Sequence, residues 1–93
     1  MNSLQKVAIF LFIIGFEKAS SILGLMDNNE IKMIVPEIQK LITVSQETQQ
    51  STWAEFEELG YKENMKSSEA LSVIRLLFNG SSMNDKVRRN SFR

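Results

Sequence analysis

The sequence has no cysteine and no histidine, and only one proline and four glycines among its 93 residues. Without cysteine there is no disulfide framework and no thiol chemistry. Without histidine there is no imidazole general base, and with both missing the usual zinc ligand sets are gone. Charge of neither sign dominates: eleven Lys and Arg balance eleven Asp and Glu, so the bulk basic excess of a nucleic-acid binder is missing. The glycines are scattered, which leaves no glycine-rich loop for a phosphate. Nor is there a long hydrophobic run. The longest, Val7 to Ile14, has eight residues, well short of the roughly 20 that a membrane-spanning helix needs.

What is present is a chain of one-domain length with 43% hydrophobic residues, a globular and not a disordered composition. The stretch "KVAIFLFIIGF", residues 6–16, admits two readings once a membrane span is set aside. One is a secretion leader, with Lys6 as the charged start, Val7 to Phe16 as the apolar centre and Ala19-Ser20-Ser21 as the cleavage site. That would make the chain a small secreted or periplasmic helical protein. Against it, charged Glu17 and Lys18 separate the apolar run from the cleavage site. The other reading is a buried helix. Leu4, Val7, Ala8, Leu11 and Ile14 share one helical face, while Ile9, Phe12, Ile13 and Phe16 share another. Such a helix either spends both faces inside a core or keeps one for a partner.

The remainder is punctuated as a series of short helices. Gly15 is a helix stop. Asp27, with Glu30 three residues on, forms a capping-box signature. Pro36 falls within the next helical pattern and predicts a kink there or a break at Val35. Ser45 caps a helix carrying Trp53, Phe56 and Leu59 that Gly60 ends, "YKENMKSS" reads as a polar loop, and Ser67 or Ser68 caps a last helix that Gly80 stops. No useful length alternates with period two. The expectation is an all-α, compact bundle of about five short helices near 3–14, 16–25, 28–42, 46–59 and 68–79, in an armadillo-like or superhelical arrangement. The domain would span residues 1–80. The basic, polar stretch 81–93 would be a tail or the start of a sixth or linker helix. Leu11, Ile38, Phe56 and Ile74 are expected at the centre of the core.

No catalytic arrangement emerges. Glu55, Glu57 and Glu58 read as a solvated helix face, because paired carboxylates do acid–base work only where a cleft separates their pKa values. Trp53 and Phe56 read as core residues and not as a ligand box. No enzyme activity, cofactor or metal is expected.

The succession "LQKVAIFLFIIG", "FEKASSILGLMDNNEIKMIVPEIQKL", "ITVSQE", "WAEFEEL" and "SEALSVIRLLFNG" resembles, in order and spacing, the N-terminal domain of the bacterial flagellar motor switch protein FliG over residues 4 to about 80. Two features depart from that family: Pro36 stands in a helix that is normally uninterrupted, and the loop between Leu59 and Ser67 is short. The family's middle and C-terminal domains have no counterpart in this sequence, so the expectation is an N-terminal fragment or a stand-alone relative. The resemblance implies a docking role in the cytoplasm at the inner-membrane face of the flagellar basal body. There the domain binds C-terminal helices of the membrane-ring protein FliF and neighbouring copies of itself, with no nucleic acid and no insertion into the membrane. Aromatic and methionine side chains are favoured at such surfaces, and Ile9, Phe12, Phe16 and Met33 are the expected partner contacts.

Overall fold

A computed structural model describes residues 2–82, with side chains described through Phe78. Five helices follow one another: α1 (Ser3–Ile14), α2 (Phe16–Leu23), α3 (Asn28–Lys40), α4 (Gln46–Glu58) and α5 (Ser67–Ser82). The described residues contain no strand. The sixth-helix alternative for the C-terminal stretch falls largely outside them.

Local chemistry sets most of the boundaries. Asn2 and Gln5 form a reciprocal capping box at the start of α1, as Asp27 and Glu30 do at α3. The Ser45 hydroxyl accepts the Thr48 N–H at 3.1 Å and opens α4. Gly15 separates α1 from α2 by a single residue with φ +96°. A Cβ there would meet nothing within 4 Å, so glycine is required by the left-handed backbone and not by crowding.

Three boundaries differ from the sequence-based expectation. Pro36 does not break α3, which runs unbroken from Asn28 to Lys40. The missing N–H would have served the Lys32 carbonyl, and both residues are exposed; the orphaned acceptor lies on the face of the helix that water can reach. Gly80 does not stop α5, which continues to Ser82; a glycine costs a helix about 1 kcal/mol, which packing elsewhere can outweigh. Neither Ser67 nor Ser68 is the cap of α5. The helix begins at Ser67, and Glu69 reaches back to accept the Lys66 N–H at 3.0 Å.

α1 is the hub. It packs against each of the other four helices, and α2 also packs on α5. Val7, Ala8, Ile9, Phe10 and Leu11 are consecutive and all buried, which is why this helix is apolar all round. Phe10 stacks on Phe56 with ring centroids 4.0 Å apart and meets the edge of Tyr61 at 4.8 Å. Leu11, Phe56 and Ile74 occupy the core as expected, but Ile38 is only half-buried, and Ile34, one turn earlier, takes the fully buried place on α3. Cleavage after Ser21 would remove α1 with Val7, Ala8, Phe10 and Leu11 from that core, so the fold gives the secretion-leader reading no support. No helix of the described residues is long and apolar enough to cross a membrane.

Among the described residues two ion pairs join distant segments of the chain, Lys6 with Glu55 at 2.9 Å and Arg75 with Glu30. Arg75 on α5 donates from Nε to Glu30 Oε2 at 2.7 Å and from its terminal nitrogen to Oε1 at 2.9 Å. The hydrogen-bonded guanidinium holds the Glu30 carboxyl below its ordinary value of 4.5, and it more than offsets the desolvation that acts the other way. Above pH about 4.5 both folded and unfolded chains carry the carboxylate and the stabilisation is complete. Below it the unfolded chain binds the proton first, so stability falls with pH until the folded carboxyl protonates too. Glu30→Gln should cost roughly 1–2 kcal/mol at neutral pH, because the pair is partly exposed. It should also flatten the loss of the thermal midpoint below pH 4.5; an acid limb as steep as that of the unaltered chain would assign the effect to other carboxylates.

Candidate functional site

The bend at Gly15 turns the chain so that the last turns of α1 and the length of α2 form two walls of a groove of about 530 Å³. The end of α3 and the segment leading to Ser45 form the third, through Ile38, Leu41, Ile42 and Val44. Ile38 is half-buried because it faces this space and not the centre of the core. Ala8 and Leu11 lie at the base, continuous with the core cluster. Gln49 donates from Nε2 to the Val44 carbonyl at 3.0 Å and ties the third wall to α4.

The groove is apolar to an unusual degree for solvent-facing surface. No ionisable side chain lines it; Ser20 is its one hydroxyl. Three large hydrophobic residues on its rim stand in solvent: Phe12 is 56% exposed, Phe16 85% and Ile42 92%. Isolated exposed apolar residues are ordinary, but a contiguous group around a concave apolar surface marks an interaction site. With no ionisable side chain beside the Ser20 hydroxyl in the lining, what the groove offers is a surface that can bury an apolar face.

The structure separates the four expected contact residues into two pairs. Phe12 and Phe16 lie on the groove, one in the last turn of α1 and the other at the first position of α2. Ile9 is buried, at 5% exposure, and Met33 packs half-buried against the core; neither lines the groove. Ile42, the most exposed large hydrophobic residue described, was not among those singled out from sequence. The sequence places Ile42 within the third helix, expected over 28–42, on its apolar face; α3 ends at Lys40, which leaves Ile42 beyond the helix and exposed.

A second concavity, of about 610 Å³, lies between the end of α1, α4 and the loop before α5. Its lining is mixed: Trp53 and Tyr61 provide aromatic surface, with Gln46, Gln49, Glu57, Glu63 and Lys18 around them. Lys18 donates to the Glu63 carbonyl at 2.9 Å. Burial, with the Glu63 charge adding to it, raises the Tyr61 phenol above its ordinary value of 10.0. No group of three or more metal-ligating side chains occurs among the described residues.

The family model described as the FliG N-terminal domain matches residues 1–89, nearly the whole chain and farther than the resemblance over 4–80 reaches. No curated protein and no solved structure matches significantly.

Proposed function

This chain belongs to the FliG N-terminal domain family and is thereby a component of the flagellar motor switch, and from that premise we propose that it is the docking module joining the rotor's cytoplasmic ring to the membrane ring. Its partner is a C-terminal helix of a FliF-like membrane-ring protein, and the site is the groove rimmed by Phe12, Phe16 and Ile42. The family is a structural motor-switch domain and not an enzyme family. In this reading the domain sits at the inner-membrane face of the basal body, held to the membrane through its partner without inserting, and it contacts neighbouring copies in a ring.

One observation carries the proposal: a concave surface with three exposed large apolar side chains and no ionisable lining. An amphipathic helix is the occupant such a surface suits, because its side chains at i, i+3, i+4 and i+7 fall on one stripe that fills a groove while its polar face stays wet. The groove's neutrality has a measurable consequence. Affinity should come from apolar burial, so binding of a synthetic FliF C-terminal helix should carry a negative heat-capacity change and weaken little with salt. Calorimetric titration of the purified chain with that helix tests this. No binding, or binding that collapses as salt rises, would remove the groove from consideration.

A further inference from the structure

The chain is neutral in sum but not in distribution. Residues 1–82 hold seven Lys and Arg against ten Asp and Glu, a net charge of −3, while residues 83–93 hold four against one, a net of +3. Within the body the negative charge gathers on α4. Its thirteen residues carry Glu47, Glu55, Glu57 and Glu58 and no cation at all. Lys6 pairs with Glu55 at 2.9 Å, and no ion pair forms at Glu57 or Glu58 among the described residues. The mixed concavity opens beside this helix, with Glu57, Glu63 and Lys18 in its lining together with the half-buried Trp53 and the buried Tyr61.

We propose that residues 83–93 of one copy, through Lys86, Arg88 and Arg89 with Val87 between them, seat in the Trp53–Tyr61 concavity of the next copy. Charge complementarity selects the segment, since the cationic surplus of the chain lies there, while Glu57 and Glu63 outnumber Lys18 in the lining of the concavity and α4 beside it carries no cation. Guanidinium groups also stack favourably on aromatic faces, and the half-buried Trp53 lines the concavity. Chain geometry selects the neighbouring copy over the same one. Glu63 lies four residues before the start of α5 at Ser67, and α5 then carries the chain about 24 Å away over its sixteen residues. Lys86 to Arg89 lie four to seven residues beyond Ser82, a reach of at most about 14–25 Å. That length would be consumed in retracing α5 before the body itself was rounded. A neighbour's concavity imposes no such detour. A contact between one end of a copy and a different face of the next is heterologous, and it propagates head to tail into a ring or an open filament. The ring geometry rests on the docking reading above; the contact itself does not.

The test uses the full chain. Self-association measured by sedimentation velocity should weaken about ten-fold or more between 0.1 M and 1 M salt, as the Debye length falls from about 10 to about 3 Å. Trp53, the single tryptophan, should change its emission on dilution in step with dissociation. Two variants then divide the contact: Glu57→Gln with Glu63→Gln on the receiving side, and Lys86→Ser, Arg88→Ser and Arg89→Ser on the inserting side. Each alone should abolish association. Mixed, they should form one-to-one dimers and nothing larger, because the first still offers a good tail and the second a good concavity. Association that survives in either variant overturns the proposal. So does a tail variant that associates normally but no longer binds vesicles rich in anionic lipid, which would assign the basic segment to a membrane surface. Binding of the FliF-type helix, measured on the same variants, should be unchanged; its absence in the unaltered chain would undo the groove reading and leave the head-to-tail contact standing.

Discussion

Phe56→Ala should lower the stability of this domain by about 3–5 kcal/mol, the range for deleting a fully buried aromatic ring. The residue is completely buried, and its ring lies 4.0 Å from that of Phe10 and nearly parallel to it, at 6°. Truncation removes more than one contact. Phe10 also meets Tyr61 edge-on at 4.8 Å, and Tyr61 meets Trp53 at 5.4 Å, so the four rings form one connected cluster linking α1, α4 and the loop after it. A domain of this size has only about 5–15 kcal/mol in total, so the variant should unfold at a much lower temperature or lose its cooperative transition. Thermal unfolding followed by circular dichroism measures it. A midpoint within a few degrees of the unaltered chain would mean that the stacked pair contributes far less than its burial implies.

The five helices were legible because their ends are written in local chemistry. Asp27 with Glu30, Ser45, Gly15 and Gly60 act within three or four residues of themselves, and a reader of the sequence has all the partners in view. The features that were not legible depend on distant residues. Phe10 fell outside both helical faces drawn for α1, because in a helix apolar at every central position the period carries no information. Only the presence of α4 and the loop after it shows why Phe10 is interior. Tyr61 heads a segment that reads as a polar loop, yet the segment returns to the core and buries it. Glu30 reads as a capping residue and is one, but its second role depends on Arg75, 45 residues away. Gly80 misleads in the opposite direction: its local cost is real, and α5 still runs through it to Ser82.

The same limit governs the groove. That α1 carries more apolar surface than one packing face can use is visible in sequence. Which surplus residues remain outside is decided by where α2 leaves the bend at Gly15. Phe12 and Phe16 flank the bend and line the groove, while Ile9, farther back on α1, is buried. Ile9 and Phe12 share a helical face by spacing, but three residues along α1 separate a buried position from one at the rim.

That separation makes the groove testable by opposite signs of effect. Phe12→Ser and Phe16→Ser each remove an aromatic ring that stands mostly in solvent in the free domain. Their cost to folding should stay within about 1 kcal/mol, and solubility should improve as an exposed apolar patch shrinks. Their cost to binding should be much larger. An aromatic anchor buried on complex formation contributes about 2 kcal/mol or more when truncated, roughly a thirty-fold loss of affinity for the FliF-type helix at each position. Ile9→Ser supplies the contrast. Its side chain is already buried, so a hydroxyl there should destabilise the free domain by roughly 2–4 kcal/mol and weaken binding only in proportion to the fraction unfolded. Thermal unfolding and calorimetric titration on the three variants give six numbers with a fixed pattern: two stable domains that bind poorly, and one unstable domain whose folded fraction binds normally. If Phe12→Ser and Phe16→Ser both bind with the affinity of the unaltered chain, the groove is not the docking surface. If both unfold, their rings belong to the core in solution despite their exposure here, and the partner's face must be sought elsewhere on the domain.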